Sequence, residues 1–95
     1  MDVITQPKLL YFYSPRSGLS RRVEAFLDQV LQERRNHKAF SRARVDVDRT
    51  PQLADHFDVA DVPAIVVLEE GRVVRKVEGR VSVGRIRDAL GPWLH

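Results

Sequence analysis

Apolar and polar positions divide the chain into short runs, stripes and alternations. Leu9-Leu10-Tyr11-Phe12-Tyr13 is apolar at every position. A strand covered on both faces would have this pattern, which predicts a central, parallel strand with Tyr11 and Phe12 buried. From Ser17 or Gly18 onward, Leu19, Val23, Phe26, Leu27, Val30 and Leu31 recur at helical spacing and form one stripe. Arg21, Arg22, Glu24, Asp28, Gln32 and Glu33 fall largely off that stripe. Ser17 is the predicted N-cap, because its hydroxyl can accept an orphan backbone N–H. The helix is expected to end near Arg34–His37, with Asn36 as a left-handed terminal residue.

Ala43, Val45 and Val47 then alternate with Arg42, Arg44, Asp46 and Asp48, the pattern of a half-covered edge strand. Thr50-Pro51 reads as an N-cap followed by a first-turn proline, with Leu53, Ala54 and Phe57 on the buried side of a short helix. Ala64 to Leu68 is a second buried strand, Glu70-Gly71 a hairpin turn, and Arg72 to Val77 the returning antiparallel strand. Gly79 breaks the chain. Ser82 caps a last helix with Val83, Ile86, Leu90 and Trp93 on one face.

The predicted order is β-α-β-α-β-β-α. The class is α/β, a four-stranded mixed sheet with helices on both faces and with both helical crossovers joining parallel strands. Residues 1–95 are expected to form a single domain, with residues 1–7 as a fraying lead that shows no periodicity.

Composition narrows the function classes. With 95 residues, 43% hydrophobic and 31% charged, the chain can build one compact core. No apolar run approaches a membrane span and no signal segment opens the chain, so a cytoplasmic location without membrane contact is the default expectation. The absence of cysteine excludes disulfides and thiolate metal sites, and no cofactor is expected. Charge is uneven. Residues 1–45 hold nine Lys/Arg against four Asp/Glu, and residues 46–95 seven against nine.

Candidate chemistry concentrates where the first strand enters the first helix, Phe12-Tyr13-Ser14-Pro15-Arg16-Ser17-Gly18-Leu19-Ser20-Arg21-Arg22-Val23. Ser17 and Ser20 stand three apart, where a redox enzyme would carry a Cys-X-X-Cys pair. Further on come Val45-Asp46-Val47-Asp48 before Pro51, the Val62-Pro63 step, the Glu70-Gly71 hairpin, and Gly79. Taken together in this order, these features resemble the thioredoxin family in a trimmed form. The resemblance covers roughly residues 8–94.

The resemblance implies a cis Pro63 and a groove lined by Arg16, Ser17, Gly18, Leu19, Ser20, Val62, Pro63, Gly79 and Arg80. There the main chain of Val62 would pair with an extended segment of a protein or peptide partner. Thiol–disulfide exchange needs a thiolate and a resolving thiol, and both positions are serine. Tyr11 stands in place of the family's buried acid, Arg16 in place of its tryptophan, and Leu19 in place of the proline between the cysteines. The implied function is therefore a redox-inactive protein-binding or scaffold module. One alternative is a thiol-disulfide oxidoreductase present as a Cys-to-Ser form. Another is an anion or small-ligand binder at the helix N-terminus, using Arg16, Arg21 and Arg22.

Other readings are poorer. Ser17 as a nucleophile would need a base, and His37, His56 and His95 are all expected away from it. Asp46, Asp48, Asp55, Asp58 and Asp61 match no metal-loop spacing. Arg34, Arg35, Lys38, Arg42 and Arg44 could face nucleic acid, but the aromatic residues that would stack bases are expected in the core. The oligomeric state has no signal in the sequence.

Overall fold

The strand with no polar side becomes the middle of the sheet. The computed structural model describes residues 6–94, leaving aside the side chains of Arg34, Arg35 and His37, so most of the lead and His95 lie outside the described residues. The elements are β1 (Lys8–Tyr13), α1 (Gly18–Gln32), β2 (Ser41–Asp46), α2 (Pro51–His56), β3 (Ala64–Glu69), β4 (Arg72–Glu78) and α3 (Val83–Leu90). The sheet order is β2-β1-β3-β4. This is the α/β arrangement expected, a four-stranded mixed sheet.

β1 pairs with β2 in parallel, setting Phe12 opposite Val45, and with β3 antiparallel, setting Phe12 opposite Ala64. β2 and β3 therefore run antiparallel, and only the α1 crossover joins parallel strands. This corrects the expectation of two parallel crossovers. Tyr13, at the end of β1, stands opposite Asp46. The connection leaving β2 and the start of β3 therefore share one end of the sheet, and β3 has to run back.

Alternation along β1 supplies both cores, as period-2 geometry requires. Leu9 and Tyr11, with Ile65 and Val67 of β3, meet Val23, Leu27, Val30 and Leu31 of α1 and Ile86 and Leu90 of α3. Leu10 and Phe12, with Val45, Ala64 and Val66, form the other cluster, under Ala54 of α2 and Phe57, the residue that caps its C-terminus. Helices thus cover both faces. Leu27 has no exposed surface, and emptying such a site costs about 2–5 kcal/mol.

Three local expectations change. α1 ends at Gln32 and tightens into a 3₁₀ turn, Glu33–Lys38. Asn36 sits inside that turn, 2% exposed, with its carbonyl accepting the Ala39 N–H at 2.9 Å. It has no positive φ, because the 3₁₀ bonds themselves satisfy the helix end. Leu53 is 37% exposed. A helix of only six residues presents about one turn to the sheet, and Ala54 with the C-cap Phe57, three apart, occupy it. Thr50 precedes Pro51 as expected but does not cap with its side chain. Its hydroxyl donates to the Asp46 carbonyl at 3.0 Å.

Glu70 and Gly71 both have positive φ, 51° and 80°, as a two-residue primed hairpin turn demands. Among the described residues no helix is long and apolar enough to cross a membrane.

Candidate functional site

Register gathers the candidate residues at one end of the sheet. Tyr13 opposes Asp46, Phe12 opposes Ala64, and Ala64 opposes Glu78. The Ser14–Ser20 loop, the turn after Asp46, the Val62-Pro63 step and Gly79-Arg80 therefore follow from, or lead into, neighbouring strand ends. Two main-chain bonds tie them together. Gly79 N–H donates to the Pro63 carbonyl at 2.7 Å, and Val47 N–H donates to the Tyr13 carbonyl at 3.0 Å.

Within the loop, both serines act as struts. Ser17 Oγ accepts the Ser20 N–H at 3.1 Å, which is the N-cap expected of it. Ser20 Oγ accepts the Ser14 N–H at 3.2 Å, and the Ser17 N–H donates back to the Ser14 carbonyl at 3.0 Å. From beneath, the buried Tyr11 hydroxyl donates to the Ser20 carbonyl. Burial first, and then the negative charge of Glu24, push the Tyr11 phenol well above the ordinary tyrosine range. Tyr11 is thus a neutral donor and cannot serve as the proton acceptor that a carboxylate would be at this position.

The arginines have local partners. Arg16 Nη2 lies 3.4 Å from Asp48 Oδ1, and Ser14 Oγ donates to Asp48 Oδ2 at 2.8 Å. The Ser14 hydrogen bond, and then Arg16, hold the Asp48 carboxyl below its usual range. Arg21 Nη1 donates to the Pro15 carbonyl at 3.3 Å. Arg22 is exposed on the first turns of α1. Arg16, Arg21 and Arg22 are close in sequence, but Arg16 and Arg21 are aimed at separate partners. Gly18 is the exposed first residue of α1, and Leu19 is half-buried against the α1–α3 core.

Val62 is half-buried against the α2-side core, and the Val62–Pro63 peptide bond is cis. Among the described residues, neither the N–H nor the C=O of Val62 has a hydrogen-bond partner. Gly79 is buried with φ +78°, and a Cβ there would stand 3.0 Å from Asp61 Oδ2. Arg80 is exposed.

The remaining candidates lie apart from the serine loop or have structural duties. His56 packs edge-on against Phe57, with ring centroids 4.8 Å apart. Asp46 Oδ1 accepts the Asp48 N–H at 2.9 Å. Asp55 is exposed on α2, and Asp58 Oδ2 lies 4.0 Å from Lys76. Among the described residues no three His, Asp or Glu side chains cluster to hold a metal. Arg42 pairs with Asp28 at 2.9 Å, and Arg44 forks onto Glu24 at 2.7 and 3.1 Å. Lys38 is exposed. The Ser14–Asp48 and Glu24–Arg44 pairings went unread in the sequence, because they span 34 and 20 residues and leave no local pattern.

Comparison with known proteins agrees with this architecture. The chain is 28% identical over 80 residues to the thioredoxin of Mycobacterium bovis, covering 82% of this chain and 67% of that one. It is 29% identical over 80 residues to the bifunctional thioredoxin reductase/thioredoxin of Mycobacterium leprae, of which it spans only 17%. Among solved structures, a single-substitution mutant of the thioredoxin from Halobacterium salinarum superposes with a TM-score of 0.78 at 22% identity, over 96% of this chain and 77% of that one. The germline-specific thioredoxin Deadhead of Drosophila melanogaster gives 0.80 at 18% identity, over 94% and 82%. The family model described as Thioredoxin matches residues 2–91. That match spans nearly the whole chain and the sheet has the same topology, so the chain is a member of the thioredoxin family, with serine where the family carries its cysteine pair.

Proposed function

We propose that this chain is a redox-inactive thioredoxin-family module that binds an extended segment of a partner protein. The segment would lie over Val62-Pro63, Gly79-Arg80 and the Arg16–Ser20 loop. The observation that carries the reading is the open main chain of Val62, whose N–H and C=O have no partner among the described residues. An extended peptide lying antiparallel along it would supply both bonds. The serines support the same reading from the other side. Their hydroxyls brace the loop, and a hydroxyl offers no thiolate for exchange.

The second reading, an oxidoreductase in Cys-to-Ser form, has Tyr11 against it. The residue beneath Ser20 is a neutral hydrogen-bond donor rather than an acid able to take a thiol proton. Binding of an anion by Arg16, Arg21 and Arg22 together is disfavoured by the pairing of Arg16 with Asp48.

The test is affinity capture with the wild-type chain beside Val62→Trp and Arg80→Glu, with Arg87→Glu on α3 as a distant control. A partner retained by wild type and Arg87→Glu but lost by both groove variants supports the docking surface. The same partners on all four chains would rule it out.

A further inference from the structure

A cavity of about 320 Å³ opens on the flank of the serine loop, between the start of α1 and the ends of β1 and β2. We propose that it binds a small carboxylate with an apolar body. This proposal does not rest on docking of a protein segment, since none of Val62, Pro63, Gly79 or Arg80 lines the cavity.

The wall is a preassembled stack. The Tyr13 ring lies parallel to the buried Tyr11 ring, with centroids 6.3 Å apart, and the Arg44 guanidinium sits 4.4 Å from the Tyr13 centroid. Glu24 grips Arg44 through two hydrogen bonds, at 2.7 and 3.1 Å. A fork–fork pair of this kind holds the guanidinium plane without further ordering cost.

Donors face the cavity from α1. Arg21 makes one hydrogen bond among the described residues, the long one to Pro15, so the rest of its fork is unspent. Ser20 is 2% exposed and lines the cavity. Its oxygen accepts from Ser14, and its own O–H has no acceptor among the described residues. A ligand oxygen reached by Arg21 and the Ser20 hydroxyl would satisfy both.

Charge selects the ligand. Arg21 and Arg44 bring two positive charges and Glu24 one negative charge to the lining, so the site balances a single negative charge. A phosphate dianion would press a second charge against the Glu24 carboxylate. Tyr13 and Pro15 offer ring surface for an apolar body, and the volume lies at the small end of ligand pockets.

The experiment is a titration of the ¹⁵N-labelled chain with sodium benzoate, followed by amide shifts, with sodium phosphate and sodium chloride in parallel. The same titrations are run on Arg21→Met and Arg22→Met, whose fold is checked by the dispersion of the amide spectrum. The expected result is saturable movement of the Ser14, Ser20, Arg21 and Arg44 amides in the millimolar range. Binding should be weakened about tenfold by Arg21→Met, the loss of one charge-assisted bond, and left unchanged by Arg22→Met. The absence of saturable shifts, shifts centred elsewhere, equal affinity in Arg21→Met, or equal binding of phosphate would each overturn the assignment.

Discussion

Tyr11 donates its phenolic hydrogen to the main-chain carbonyl of Ser20, linking the buried centre of β1 to the first turn of α1. The contact joins two of the positions at which this chain departs from redox chemistry. A donor sits where the family places an acid, and a hydroxyl where the family places the resolving thiol. The carbonyl is held from below, while the Ser20 side chain is held from the loop side by the Ser14 N–H at 3.2 Å.

Replacing Tyr11 with Phe removes that bond and keeps the ring. The expected cost is about 1 kcal/mol at neutral pH, read from urea unfolding. The two chains should also differ at alkaline pH. The folded Tyr11 phenol has a raised pKa, from burial first, so its contribution is fully present below the unfolded tyrosine value of about 10. Above that value the unfolded chain ionises first and stability falls with pH. Tyr11→Phe should flatten this alkaline fall, and an unaltered slope would contradict the buried donor.

Restoring cysteine at both positions, Ser17→Cys with Ser20→Cys, tests the loss of redox work. With a neutral phenol beneath the second thiol, the expected disulfide reduction is negligible beside that of a thioredoxin assayed in parallel. Turnover at the level of that thioredoxin would show that the scaffold still supports exchange. Ser17→Cys and Ser20→Cys with Tyr11→Asp added should then gain activity.

Gly79→Ala places a side chain at φ +78° and within 3.0 Å of Asp61 Oδ2. The expected destabilisation is about 1–3 kcal/mol by thermal unfolding, from the left-handed backbone with the contact added. Adding Asp61→Ala should recover only the contact, leaving the backbone strain. Full recovery would mean that the conformation itself is unstrained.

Asp48 has a lowered pKa, chiefly through the Ser14 hydroxyl and secondarily through Arg16. A carboxylate depressed in the folded state stabilises above its unfolded value, about 3.9, and loses that contribution as pH falls through the folded value. Carboxyl ¹³C titration should find Asp48 below the ordinary aspartate value. Ser14→Ala should raise it further than Arg16→Met does, and the reverse order would place the cause on the ion pair.

The sequence by itself determined the elements and their punctuation. An all-apolar run at Leu9–Tyr13 can be covered on both faces only in mid-sheet, and the stripe from Leu19 to Leu31 can form only a helix against one of those faces. Ser17 and Ser82 cap as their positions foretold, accepting from Ser20 N–H and Arg85 N–H at 3.1 Å each. Each of these signals lies within one turn or one strand, the range over which backbone geometry fixes neighbours. The tertiary structure alone decided the direction of β3, the exposure of Leu53 and the burial of Asn36 in a 3₁₀ turn. It also brought Asp48 to Ser14 and Glu24 to Arg44. These depend on where chain ends meet across the sheet and on how much surface a six-residue helix can cover. Contacts between residues 20 or 34 apart are set by packing rather than by periodicity, so the loop's partners could be found only once the strands had been laid side by side.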